Sequence, residues 1–156
     1  MGMSKHKEEA SHSVAAAIGK GILAGLAGTA AITLSQMIEM KINDRKPSTA
    51  PADAASKVLD VKPATEQDKE KFSQEVHWAY GTTWGLARAA IGLTGLKGFA
   101  ATAVHFTAIF GTALIMEPAL DVAPPVKEWE PKTIAIDVVH HAVYAAVAGL
   151  VYDAIE

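Results

Sequence analysis

The chain of 156 residues contains no cysteine, which excludes disulfides, thiolate metal sites and a cysteine nucleophile. Aromatic residues make up only 6% of it, and its 14 basic and 17 acidic residues leave a net charge of −3. That balance offers no basic surface for nucleic acid. The sequence also lacks a Gly-rich phosphate loop, a serine elbow and a His-Glu metalloprotease motif. We therefore predict neither an enzyme nor a nucleic-acid partner.

Charge is also missing from two long stretches, residues 21–38 and 98–116, which contain no Asp, Glu, Lys or Arg. A helix needs about 20 mostly apolar residues to cross a bilayer core of roughly 30 Å, and both runs are close to that length. Two weaker apolar stretches, 76–96 and 138–152, carry Arg88 and histidines. The four together predict an all-α bundle of four transmembrane helices, with the lipid bilayer as its surroundings.

Proline, glycine and capping residues mark the expected limits of the helices. We predict a polar, disordered segment at 1–13 and one membrane domain at 14–156, with helices at about 14–42, 66–93, 98–117 and 131–155. Thr65 and Asp68 resemble a capping box, and Pro118 is expected to end the third long helix.

The loop after the first long helix contains a further helical pattern at residues 51–59. It predicts a short surface helix with Ala55, Val58 and Leu59 on one side.

Two other interpretations stay open. A soluble, Ala-rich four-helix bundle would also suit the low aromatic content and the modest hydropathy of the second and fourth stretches. The first run could instead be a signal peptide. It is too long for that, however, and ends in Gln36, Glu39 and Lys41 rather than at a small-residue cleavage site.

A weak internal repeat relates the second and fourth helices. His77-x-x-Tyr80 and His141-x-x-Tyr144 are 64 residues apart, and a Gly-Leu pair follows each Tyr after the same interval. We interpret the chain as two related helical hairpins, first with second helix and third with fourth. Copies with an even number of spans share one orientation in the membrane, so the two His-x-x-Tyr motifs should lie at matching depths.

Small residues at helical spacing predict close helix packing, because van der Waals contact replaces the hydrophobic drive between helices in lipid. The alternative is that glycine is simply common in membrane helices. The expected packing residues are Gly21, Gly25, Gly28, Gly81, Gly85 and Gly149.

Ionisable groups within a span are costly and usually face the bundle interior. Residues three, four and seven apart share a helix face, which groups His77 with Arg88 and Asp137 with His141. The predicted interior polar cluster is His77, Tyr80, Arg88, His105, Asp137, His141 and Tyr144. Alternatives are an interfacial aromatic belt, an Arg88 that snorkels to the headgroups, and a His105 that only packs.

A pair of histidines on neighbouring helices raises the hypothesis of a b-type haem between His105 and His141. No basic pair for its propionates is evident, and a divalent metal site of His141 with Asp137 or His105 is no better supported.

The patterns GxxAGxxGT from Gly21, HxxYGxxxG from His77 and HxxYxxxxGL from His141 resemble a group of small, uncharacterised bacterial inner-membrane proteins. The resemblance implies four spans in the bacterial cytoplasmic membrane and no activity or functional residues. Lys and Arg near the spans weakly favour a cytoplasmic loop between the first two long helices.

Three hypotheses of function follow. The first is a structural or accessory protein that packs with itself, as a homo-oligomer, or with a larger membrane complex. The second is a transport or proton-handling module that uses interior His and Asp. The third is a haem-binding membrane anchor.

Overall fold

The structure is a computed structural model that describes the backbone of residues 2–155 and the side chains of residues 13–155. Over that range the chain is all-α and contains no strand. Its helices are α1 (Gly2–Ile42), α2 (Ala50–Leu59), α3 (Glu66–Leu93), α4 (Gly98–Ala119) and α5 (Pro131–Ala154), and a 3₁₀ turn at Val126–Glu128 precedes α5.

Local chemistry accounts for the limits of the helices. Thr65 is the N-cap of α3, and its Oγ1 accepts a hydrogen bond from the Asp68 amide at 3.1 Å. Gly95 and Gly98 have φ values of 87° and 57°, which glycine adopts without strain, and they form the turn between α3 and α4. Pro118 does not end α4 as expected. It lies in the last turn, where one missing amide donor costs little, and the helix continues to Ala119.

The N-terminal segment also differs from expectation. The backbone is helical from Gly2, whereas the sequence analysis expected disorder at 1–13. Extending an existing helix adds one hydrogen bond for each residue ordered and requires no new nucleus, and this segment has no proline after Gly2 to stop it. The side chains of residues 1–12 lie outside the described part.

Four long helices pack side by side, each antiparallel to its sequence neighbour. On α1, Gly21 contacts Gly85 of α3 whereas Thr33 contacts His77, so the two helices run in opposite directions. The same reversal relates α1 to α5 and α4 to α5. Helices α3 and α5 are therefore parallel, and α1 and α4 lie on opposite sides of them.

Three helical segments among the described residues are long and apolar enough to span a membrane, namely Ser13–Ile42, Gly98–Ala119 and Pro131–Ala154. Helix α3, which we expected to be a fourth, is not among them. Its first two and a half turns are strongly charged, and its apolar part is interrupted by His77, Thr82, Thr83 and Arg88.

The distribution of side chains is the reverse of that in a water-soluble bundle. Large apolar residues point outward, including Ile115 on α4 and Leu150 on α5, which are 73% and 71% exposed. The interior combines small residues such as Ala24 and Ala148 with fully buried polar side chains, namely Thr29, Arg88 and His105. An exposed apolar surface this extensive is typical of a lipid-facing one.

Candidate functional site

Helices α1 and α3 approach each other through two pairs of glycines four residues apart. A Cβ atom added at Gly21 would lie 2.6 Å from the carbonyl oxygen of Gly85, and one added at Gly25 would overlap the backbone at Thr82. Gly85 in turn faces the backbone of Gly21 and Gly25. The two backbones are therefore in direct contact, which is the geometry that small residues at this spacing allow.

Tyr144 of α5 fills the junction of three helices. Its ring lies over Gly28 of α1, where an added Cβ would come within 3.0 Å of the ring carbons. Its hydroxyl donates a hydrogen bond to the backbone carbonyl of Gly81 on α3 at 2.5 Å. The side chain of Thr29 on α1 also lies against Gly81. We call these four residues, Gly28, Thr29, Gly81 and Tyr144, the Tyr144 junction.

His105 connects α4 to the Tyr144 junction. Its side chain is fully buried, its ring centroid is 5.9 Å from that of Tyr144, and its Nε2 is 2.9 Å from the carbonyl oxygen of Trp84. Because a carbonyl only accepts, Nε2 carries a hydrogen and donates it. Nδ1 is then a lone-pair nitrogen when the ring is neutral, and it has no partner among the described residues.

His77 and Tyr80 contact different neighbours of α3. Thr33 of α1 donates its hydroxyl hydrogen to the carbonyl of Thr29, so it accepts from Nε2 of His77 at 3.0 Å. Tyr80, expected in the interior, is 42% exposed and lies next to Met116 of α4 and edge-on to Trp84. Three residues of helix advance about 300°, so Tyr80 is offset by about 60° from His77, which is enough for it to contact α4 rather than α1.

The buried face of α5 is rotated from the expected one. The sequence analysis placed Asp137, His141 and Tyr144 on it, but the buried residues of α5 are His140, Tyr144, Ala145, Ala148, Gly149 and Tyr152. His140, which we did not include, is 2.8 Å through Nδ1 from Ser35 Oγ on α1. His141 is half-buried, donates through Nδ1 to the carbonyl of Asp137 at 2.8 Å, and contacts Phe110 of α4.

Arg88 does not snorkel to the surface. Its side chain is fully buried, and its Nη2 pairs with the Asp153 carboxylate on α5. The guanidinium lies 4.4 Å from the centroid of the Tyr152 ring, a cation–π arrangement. The second carboxylate oxygen of Asp153 accepts from the Gly98 amide at 3.2 Å, so the ion pair also holds the start of α4. Sequence analysis missed Asp153, although it is the sole acidic residue after Asp137 before the final Glu156.

At the opposite end of the bundle, four acidic residues line an open cavity of about 270 Å³. Glu117 near the end of α4 and Asp137 on α5 share it with Glu128, Trp129 and other residues of the connecting loop. Within the described residues, neither the Glu117 nor the Asp137 carboxylate has a hydrogen-bond or ion-pair partner. Glu39, near the end of α1, instead binds Arg45 at 2.6 Å.

The donor set does not fit the haem hypothesis. Nε2, the nitrogen by which histidine commonly binds haem iron, is engaged with Trp84 in His105, and the His105 and His141 rings contact different aromatic neighbours, Tyr144 and Phe110. Two open cavities of the described structure lie at loops rather than between these rings. No group of three or more His, Cys, Asp or Glu among the described residues is placed to hold a metal ion.

The seven residues expected as one polar cluster therefore do not converge: most form separate contacts between helices, and Asp137 lines the cavity at the loop end. The hydrogen bonds Gly81–Tyr144 and Arg88–Asp153 join residues that are 63 and 65 positions apart in the sequence. Because α3 and α5 are parallel, His77 and His141, which are 64 positions apart, lie at the same depth in the bundle, as expected from their offset. Their surroundings nevertheless differ. Chemically, these contacts hold the helices together. No family model, curated protein or solved structure matches the chain.

Proposed function

We propose that the chain is a multi-pass integral membrane protein of the bacterial cytoplasmic membrane and acts as a structural or accessory bundle. In this proposal it packs with itself or with a larger membrane complex. The observation that carries the proposal is the reversed distribution of side chains: apolar residues cover the outside of α1, α4 and α5, while ionisable residues are tied between helices. Lipid is the solvent in which that distribution is favourable.

Chain topology supports four spans rather than three. Helices α1 and α4 are parallel, so the end of α1 and the start of α4 lie on opposite sides of the bundle. If both cross the bilayer, the connection between them must cross it as well, and α3 is that connection. Its polar side chains are tolerable there because α1, α4 and α5 cover them. The resemblance seen in the sequence supports a bacterial inner membrane.

The contacts made by the interior groups favour a structural role over transport. His77, His105 and Tyr144 each bind a hydroxyl or a backbone carbonyl of a neighbouring helix. Groups used in this way stabilise one arrangement of helices, whereas a transport path needs polar groups that line a continuous cavity.

Membrane extraction tests the location, and co-purification tests the role. After cell lysis we expect the chain to stay in the membrane pellet through alkaline carbonate washes and to dissolve only with detergent. Recovery in the aqueous fraction would overturn the proposal. Purification from native membranes in mild detergent, followed by mass measurement, should give an oligomer or a defined complex. A monomer that carries no other protein would contradict the accessory role.

A second candidate, a proton-handling module, is favoured by the unpaired carboxylates of Glu117 and Asp137 at one open cavity. The test is acidification of dye-loaded vesicles that contain the purified chain. Under this alternative Glu117→Gln and Asp137→Asn would abolish a proton flux, while Glu128→Gln in the same cavity would retain it. Under the structural proposal the vesicles show no flux above that of protein-free vesicles.

A further inference from the structure

The polar side of α2 faces the bundle. Asp53 accepts from Lys69 of α3 at 2.8 Å, and this hydrogen bond raises the pKa of the exposed Lys69 ammonium. Lys57 reaches the end of α4, where its Nζ donates to the carbonyl of Leu120 at 2.5 Å. Ala52, next to Asp53, is fully buried. Helix α2 is therefore held across the end of the bundle by charged groups.

The last turn of α2 exposes apolar side chains. Val58 and Leu59 are 67% and 62% exposed, and Val61 just after the helix is also exposed, whereas Ala55 one turn earlier is part-buried. A surface helix in water turns its apolar side toward the protein and its charges outward. The apolar side chains in the last turn of α2 are instead exposed, which favours a medium at this end of the helix that is not simply water.

The position of α2 along the axis of the bundle identifies that medium. Lys57 binds the carbonyl of Leu120, the first residue after the apolar helix α4. On α3, Ser73 donates to the carbonyl of Ser48 just before α2, and Ser73 lies one turn before the apolar part of α3. Both attachments therefore place α2 where the long helices would leave the hydrocarbon core, at the depth of the headgroups and upper acyl chains.

The size of the patch favours lipid over a protein partner. A specific protein interface typically involves about 20–30 residues on each side, whereas the end of α2 and the residues after it offer three exposed large apolar side chains beside Asp60 and Lys62. Insertion into a membrane interface has no such minimum, because each buried apolar group contributes separately.

We propose that α2 is an interfacial anchor whose outward side chains Val58 and Leu59, followed by Val61, insert into the headgroup–acyl boundary of the bilayer that the long helices cross. This inference rests on the proposed membrane location and adds a second, in-plane contact with lipid. The anchor would fix the depth and tilt of α3 and α4, to which α2 is attached.

Site-directed spin labelling tests the proposal directly, because the chain has no native cysteine. Nitroxide labels are placed on Val58→Cys and Leu59→Cys in vesicles, and their collision rates with oxygen and with a water-soluble nickel complex are compared. Ile115→Cys on the exposed face of α4 is the lipid control, and Gln67→Cys in the exposed first turn of α3 is the aqueous control. We expect the oxygen-to-nickel ratio at 58 and 59 to exceed that at 67 several-fold and to approach that at 115.

The other outcomes separate the two proposals. If 115 reports lipid while 58 and 59 behave like 67, α2 faces water and the anchor is wrong. If both reagents are excluded at 58 and 59, a second copy or another protein covers α2, and the anchor is again wrong. If the nickel complex reaches 115 freely, the membrane location itself fails, and the anchor fails with it.

Discussion

The hydroxyl of Tyr144 on α5 donates to the backbone carbonyl of Gly81 on α3, while its ring occupies the space left by Gly28 on α1. One side chain thereby sets the separation of three helices. His105 of α4 packs against the same ring, so all four long helices meet within a few ångströms of Tyr144. The glycines at this level are required by the bulk of the tyrosine and of Thr29, since a Cβ in their place would overlap them.

Replacing Tyr144 by Phe removes that hydrogen bond and keeps the ring. Hydrogen bonds between helices in a membrane protein contribute on average about 0.6 kcal/mol and at most about 1.7 kcal/mol. We therefore expect the substitution to lower the free energy of unfolding by an amount in that range. Reversible unfolding in mixed micelles measures it. Tyr80→Phe is the matched control because Tyr80 is part-exposed, and it should change stability little. Equal effects of the two substitutions would contradict the junction.

Replacing Gly85 by Ala places a methyl group against the backbone of Gly21 and Gly25, which cannot move aside as a side chain can. Overpacking of this kind costs about 1–3 kcal/mol, and we expect a loss of that size in thermal or micelle-based unfolding. Gly111→Ala on α4 is the control, since a Cβ there meets nothing within 4 Å. It should be neutral or slightly stabilising because alanine favours a helix. A neutral Gly85→Ala would show that α1 and α3 are farther apart.

Asp153→Asn should destabilise the chain more than the double variant Arg88→Met/Asp153→Asn. The single change leaves the buried guanidinium without a counter-charge, whereas the double change removes the charge altogether. The amide side chain introduced at position 153 retains an acceptor for the Gly98 amide in both variants, so the difference isolates the ion pair. The measurement is the unfolding free energy of the two variants side by side. A double variant that is less stable than the single one would contradict this account.

The chain purified in mild detergent from haem-replete cells should show no Soret band in its visible spectrum. Nε2 of His105 is committed to Trp84, and His105 and His141 face different neighbours. Addition of hemin to the purified protein provides the control for occupancy. A band that appears in the parent protein and is lost in both His105→Ala and His141→Ala would reverse this conclusion.

Sequence reasoning works well where the cause is local. The start of α3 follows from the Thr65 cap and the start of α5 from Pro131, both of which act within one turn. The contact of α1 with α3 was also indicated in advance, since its glycines are spaced for one helix face. By contrast, His140 and His141 are neighbours in sequence and point about 100° apart, so only packing selects which one is buried. The series His140, Tyr144, Ala148 and Tyr152 can be read from the sequence, but so can the overlapping series Asp137, His141 and Tyr144. The sequence pattern does not choose between them.

By itself, the sequence determined that the chain is all-α, where its long apolar helices lie in the chain, and which small residues are on their faces. Hydrogen bonds within a helix connect residues only four apart, so nearby side chains are sufficient to decide these features. The tertiary structure alone decided how each helix is rotated, that Arg88 pairs with Asp153, that Tyr80 lies outside, and that the last turn of α2 exposes its apolar side chains. These features depend on contacts between residues far apart in the chain, where the shape of one helix limits what the next can bury.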